Sequence, residues 1–323
     1  MSKVTHFVPG WAVDFPNGAW PTGAPENYGV NGARLSRVPV EILRHSTIIR
    51  DGVEVFTTGE PDRRMGWASC ARPFVTTAYL SAIQDGLIPP AFVDSPIAKV
   101  FPKSPAAQLF AGDVHGCHLL SYTSGGTPSG SRWRYSGGAD SRGEEGRTRK
   151  HWPRMHVLFR EVVKLEVWDY LNRFVFPHIG GDLFADGQHT SDGTTCRVSG
   201  SPRDMARAGY LWLHRGRWRD RQLLDADLMA RATAGGPLGD GEPYKVEGWQ
   251  FHLVRDGLAW ESPRELKLPG VPDGTFMARD GGDNQGTSHG SIVVVPTLEL
   301  VMVYRGSRAV DAFLPRVCAA VQG

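Results

Sequence analysis

Ala68-Ser69-Cys70-Ala71-Arg72-Pro73-Phe74-Val75-Thr76 is the stretch on which the fold turns. Phe74, Val75, Ala78, Tyr79, Ala82 and Ile83 recur at helical spacing after it, and Asp85-Gly86 closes the run. Ser69 therefore opens a helix. A serine hydroxyl is a weak nucleophile until a base takes its proton. At a helix start its own backbone N–H and the helix dipole can serve a developing oxyanion. Arg72, three residues on, shares the helix face and points back at Ser69. Arginine stays protonated in proteins, so it supplies fixed charge and cannot act as base. An ordinary N-capping serine beside a surface arginine fits the same nine residues, so the rest of the chain has to decide.

Immediately upstream, Ser46-Thr47-Ile48-Ile49-Arg50-Asp51-Gly52-Val53-Glu54-Val55-Phe56 is a hairpin signal: two β-branched runs flank an Asp-Gly turn. Residues 1–35, rich in Gly, Pro, Asn and Trp, read as an irregular surface arm. Residues 88–150 lack any long periodic segment and include the hydrophilic loop 137–146. Residues 152–176 read as helical, with Met155, Leu158, Phe159, Val162 and Val163 on one face. Ser201-Pro202-Arg203-Asp204 opens a further helix, with a capping serine, a first-turn proline and an acidic residue suited to the dipole. In the last third, strands are expected at 244–254, 276–279, 291–295 and 300–304, with a closing helix over 309–321. Strands at both ends with helices between them predict one sheet built from both termini around a central insertion.

The 323 residues suffice for one large domain or two lobes sharing a core. A hydrophobic share of 41% with ten tryptophans excludes a largely disordered chain. The 36 basic and 34 acidic residues nearly cancel, which gives no reason to expect nucleic acid or a membrane as partner. The basic run from Arg215 to Arg221 reads as a solvated turn. Cys70, Cys117, Cys196 and Cys318 are widely spaced, without C-x-x-C, against a zinc ribbon or a disulfide scaffold. No apolar run reaches the length of a membrane helix, and residues 1–21 do not read as a signal peptide, so the expected location is cytoplasmic.

Several blocks together resemble the β-lactamase-like, penicillin-binding-protein-like serine hydrolases. Gly66-Trp67-Ala68-Ser69-Cys70-Ala71-Arg72-Pro73-Phe74 resembles their nucleophile segment, S-x-x-K, with Arg72 in place of the lysine. His118-Leu119-Leu120-Ser121-Tyr122-Thr123-Ser124-Gly125 is similar to their H-L-L-x-H-T-S-G loop. Trp133-Arg134-Tyr135-Ser136-Gly137 resembles their Y-S-N or Y-A-N motif, and Pro202-Arg203-Asp204-Met205-Ala206-Arg207-Ala208-Gly209 their P-x-D-M-A-R-x-G helix. Residues 291–304 resemble their terminal hairpin. Five blocks in family order span about 44–320, and the nearest branches are class C β-lactamase-like esterases and hydrolases of the 6-aminohexanoate-dimer type.

The resemblance implies an α/β (α+β) architecture, β-lactamase/transpeptidase-like, in which an antiparallel sheet flanked by helices adjoins a mostly helical lobe. Boundaries follow: an arm at 1–35, a sheet lobe from 36–87 and 205–323, and an inserted helical and loop lobe at 88–204. It implies an acyl-serine intermediate and neither metal nor organic cofactor. Ser69 takes the nucleophile's place and Tyr135 that of the proton-shuttling tyrosine, while Gly137 replaces the usual asparagine. The third family motif, K-T-G or H-x-G on the strand edging the cleft, falls either at Thr287-Ser288-His289, with Gly290 as second oxyanion donor, or at His289-Gly290-Ser291. Arg72 can lower the pKa of Tyr135, since an opposite charge within about 4–6 Å commonly does so by one to three units. Tyr135 is then the sole general base.

Three functions remain open: hydrolysis of a small ester or amide; acyl transfer to an amine or alcohol on the same scaffold; and a non-catalytic binding relative that has lost the lysine. Other motifs give less. Gly112-Asp113-Val114-His115-Gly116 has the core of a metallophosphoesterase site but lacks its upstream and downstream ligand motifs. His115 and His118 could ligate a metal in isolation, but no H-E-x-x-H or third ligand stands near, so they read as surface loop residues. Cys70 turns about 100° away from Ser69 on a helix, which suits packing. The Gly-rich stretch 281–286 opens no helix and is expected beside the cleft.

Overall fold

The computed structural model describes residues 15–16, 18–38, 43–110, 112–123, 151–190, 193–235, 248–261, 264–280, 289–306 and 310–321. In chain order the elements are α1 (Gly32–Leu35), β1 (His45–Arg50), β2 (Val53–Thr58), β3 (Met65–Gly66), α2 (Arg72–Gln84), α3 (Ile97–Val100), α4 (Gly116–Leu120), α5 (His151–Val163), α6 (Val167–Tyr170), α7 (Phe176–Ile179), β4 (Phe184–Thr190), β5 (Gly193–Gly200), α8 (Pro202–Leu213), β6 (Arg217–Trp218), β7 (Arg221–Gln222), α9 (Ala226–Ala234), β8 (His252–Leu253), β9 (Leu258–Glu261), β10 (Arg264–Lys267), β11 (Phe276–Asp280), β12 (His289–Val295), β13 (Leu300–Gly306) and α10 (Leu314–Ala320).

The principal sheet has six strands in the order β2-β1-β13-β12-β11-β8. The β1–β2 hairpin turns through Asp51 and Gly52, both at positive φ, as an Asp-Gly turn requires. β1 pairs antiparallel with β13, Ile48 facing Met302 across the ladder, so strands from both halves of the chain share one sheet. Alternate side chains enter two cores. Ile292, Val294, Val301 and Val303 face α2 and α8 with Phe74, Val75 and Trp212. Ile48, Val293, Val295, Met302 and Tyr304 face the other way, onto Leu35, Phe313, Leu314 and Val317. Both faces are covered, and each fully buried aliphatic side chain contributes about 1.5–3 kcal/mol relative to exposure.

Helix α8 crosses the sheet at Gly209, where an added Cβ would stand 2.6 Å from Val301 Cγ1 and 2.9 Å from Ile292 Cγ2. Its start is the capping box read from the sequence: Ser201 accepts from the Asp204 N–H, and the Asp204 carboxylate accepts from the Ser201 N–H. Arg203 reaches from this turn to the buried Glu54 of β2 with bonds of 2.7 and 2.6 Å.

Three expectations change. The arm is not purely superficial: Trp20, Val30 and Leu35 are buried, and the Trp20 indole donates to the Arg203 carbonyl. The helix expected over 152–176 is broken: α5 ends at Val163, Lys164 takes a φ of 65°, and α6, a π turn over Leu171–Val175 and α7 follow. Of the strand expected over 244–254, only His252–Leu253 is in a strand among the described residues. The pair β4–β5, which with β3 forms a second sheet in the order β3-β5-β4, carries no apolar alternation to announce it. The basic run after α8 forms the small hairpin β6–β7, with Arg215, Arg217, Arg219 and Arg221 exposed. Among the described residues no helix is long and apolar enough to cross a membrane.

Candidate active site

Strand β3 leads directly into the Ser69 turn. It pairs with the end of β5, Gly66 opposite Ser199, and the Trp67 N–H continues the ladder onto the Val198 carbonyl at 3.0 Å. The Trp67 indole, fully buried, donates to the Gly200 carbonyl at 2.9 Å. Two bonds thus anchor the residue two before Ser69. The backbone then kinks at Ala68, whose φ of 37° is uncommon for a non-glycine residue.

Ser69 lies in a single 3-10 turn, Ala68–Ala71, that precedes α2 rather than in α2 itself. The first N–H groups of such a turn have no partner within it. Among the described residues neither the Ser69 N–H nor its hydroxyl has a hydrogen-bond partner, and the residue is half-buried. Arg72 behaves as its spacing predicts: its Nε donates to the Ser69 carbonyl oxygen at 3.2 Å. The guanidinium is thereby tied to the backbone of the serine turn.

The turn is docked against the principal sheet through Cys70. Its thiol is fully buried and lies 3.6 Å from the Ala278 carbonyl of β11 and 3.5 Å from the Gly290 carbonyl of β12. Cys70 accordingly packs inward, away from the accessible side of the turn. Gly290 passes close to the same segment: a Cβ there would stand 3.5 Å from the Trp67 ring and 3.1 Å from Arg305 Nη1.

The sheet order changes the reading of the third motif. β12 is an interior strand: Gly290 pairs with Asp280 on one side and Arg305 on the other, and His289 pairs with Gly306. Gly290 faces Trp67, whereas Ser291 belongs to the opposite face, fully buried and paired with Arg279 and Tyr304. A motif at 289–291 would therefore send Ser291 away from Ser69. Among the described residues the strand with an open edge beside the Ser69 turn is β11, because β8 covers only Phe276 and Met277. Among the described residues the segment 278–280 has no strand on that side. Sequence reasoning recognised 276–279 as a strand but had no means of placing it at the edge. Tyr135, Gly137 and Ser288 lie outside the described residues, and of His289 only the backbone is described.

The fold has clear counterparts among solved structures. A β-lactamase from Mycobacterium bovis superposes with a TM-score of 0.59 at 20% identity, covering 90% of this chain and 96% of that one. A β-lactamase from a Sulfitobacter species gives 0.58 at 14%, covering 93% and 98%. A class C β-lactamase from Rhodobacter sphaeroides gives 0.51 at 16%, covering 90% and 97%. No family model and no curated protein sequence matches the chain. Nearly the whole of this chain therefore adopts the fold of the β-lactamase-like, penicillin-binding-protein-like proteins.

Proposed function

We propose that the protein is a serine hydrolase that cleaves a small ester or amide through an acyl-Ser69 intermediate. One observation carries the proposal: the Ser69 turn is held by Trp67 on β5 and by Cys70 on β11 and β12, and among the described residues the Ser69 N–H is uncommitted and no strand covers the β11 edge at 278–280 beside it. Ser69 Oγ attacks the substrate carbonyl carbon, and its proton passes to Tyr135. The oxyanion is held by the Ser69 N–H and by a backbone N–H of the β11 edge, which replaces Gly290 in that role. The bond to the leaving group breaks as Tyr135 returns the proton to it, and water then releases the acyl group by the same route. Arg72 takes no proton. Its fixed charge, tethered to the Ser69 carbonyl, favours the phenolate form of Tyr135.

Incubation with a fluorophosphonate tests this. One adduct at Ser69, lost in Ser69→Ala and strongly slowed in Tyr135→Phe, is expected. A folded protein that takes no label, or takes it elsewhere, refutes the nucleophile; a Tyr135→Phe variant labelled at the full rate refutes the base. Products formed from an activated ester with and without added amine distinguish hydrolysis from acyl transfer.

A further inference from the structure

His115, Cys117 and His118 each offer one donor atom, and all three atoms lie within 4.8 Å of one another. None belongs to the site proposed above. The local fold brings them together. His115 caps α4, and the Cys117 N–H donates to the Val93 carbonyl at 3.0 Å, which draws the start of α4 against the 93–97 loop. Pro96 bridges His115 from that same loop. Gly116 allows the approach, since a Cβ there would stand 2.5 Å from the Phe92 carbonyl oxygen. The two imidazoles stack, centroids 4.8 Å apart and planes 14° from parallel.

We infer that His115, Cys117 and His118 form a binding site for a borderline-soft divalent transition metal of the zinc class, with a fourth position left to water. Two imidazoles and a thiolate are the donor set such ions prefer over hard oxygen-seeking cations. Tetrahedral bonds of about 2.0–2.3 Å require donor atoms roughly 3.3–3.7 Å apart, so the three need to close by about 1 Å. Both histidine side chains are only half-buried, so the adjustment does not require the core to repack. Coordination also replaces existing contacts: His118 Nδ1 now accepts a 3.2 Å hydrogen bond from the His115 N–H, and that lone pair would turn to the metal while solvent takes the N–H. The Cys117 thiol, which burial pushes up to about 11, gives its proton to solvent as the metal–sulfur bond forms.

Two acidic groups act on the site: the exposed Asp113 on His118 and, on Cys117, Asp94 of the 93–97 loop. The Asp94 carboxylate is engaged by Arg231 with bonds of 2.6 and 2.9 Å, and the two charges act on Cys117 in opposite directions. That pair largely cancels, Asp113 adds one solvent-screened negative charge, and affinity comes mainly from the three donors themselves.

Cobalt(II) titration of the untagged full chain provides the test. One equivalent should bind and produce a near-ultraviolet thiolate-to-cobalt charge-transfer band, which an equivalent of zinc removes. Cys117→Ser should lose the band and weaken cobalt binding at least about tenfold. His115→Gln, at a half-exposed position, should retain a native circular dichroism spectrum and weaken binding by a similar factor, so it carries the test if Cys117→Ser fails to fold. Absence of a band at stoichiometric cobalt, or a band and affinity unchanged in a folded variant, overturns the inference. Fluorophosphonate labelling of Ser69 should be unaffected by either variant.

Discussion

The thiol of Cys70 lies 3.5 Å from the carbonyl oxygen of Gly290, with no accessible surface of its own. Since it also approaches the Ala278 carbonyl, one small buried side chain sets the distance between the Ser69 turn and two strands. Enlarging it should move the serine. Cys70→Leu is expected to cost about 1–3 kcal/mol through overpacking and to slow fluorophosphonate labelling of Ser69. Cys70→Ser retains a donor for the same carbonyls and should keep most of the labelling rate. Equal rates in both variants, at matched folding, would separate the serine's reactivity from this docking.

Gly209 tests the approach of α8 to the sheet. Alanine there gains about 1 kcal/mol of helix propensity. Its Cβ, however, would stand 2.6 Å from Val301 Cγ1. Gly209→Ala should therefore lower stability by about 1–3 kcal/mol in urea unfolding. A rise in melting temperature would mean that the helix does not sit this close.

Arg203 and Glu54 tie the start of α8 to β2, and Glu54 also accepts from the Thr47 hydroxyl at 2.8 Å. Glu54 is only 5% exposed. Arg203→Met leaves that carboxylate buried without its countercharge, at a cost of about 3–5 kcal/mol. Adding Glu54→Leu should recover most of the loss. A double variant no more stable than the single one would show that the ion pair is not the source of the effect.

His156 and His214 predict how stability follows pH. Burial lowers each from an ordinary 6.5 to about 4, with Arg217 adding to the effect at His214. Between those values the unfolded chain binds protons that the native one does not, so stability present above pH 6.5 falls as pH drops toward 4. Each histidine can contribute a loss on the order of 3 kcal/mol at most. Urea midpoints measured from pH 7 to 4.5 should show the decline, and His156→Gln should flatten it. An unchanged slope in that variant would exonerate His156.

Local chemistry made several elements legible in the sequence. The Asp51-Gly52 turn has few alternatives to a hairpin, and the Ser201 to Asp204 capping box announces the start of α8. The continuous apolar runs of β12 and β13 mark strands buried on both faces. The helix read over 152–176 failed at Lys164, because periodicity reports a buried stripe and is insensitive to one residue at positive φ. The pair β4–β5 went unread because residues such as Asp186, Gln188 and Thr195 lack the apolar alternation by which a half-buried strand is recognised.

The sequence by itself determined that Ser69 precedes a helix, that Arg72 lies one turn beyond it as a permanent cation, and that a hairpin and a terminal strand pair flank the chain. Tertiary structure alone decided which strand stands at the open edge beside the serine. A period of two tells which side of a strand is buried but not which strand lies next to it, so His289 and Gly290 read as edge residues while the pairing places them inside the sheet. His115, Cys117 and His118 mark a related limit: they stand within four positions of one another, but only the fold shows that His115 caps α4 and that its start packs on the 93–97 loop with the three donor atoms converging.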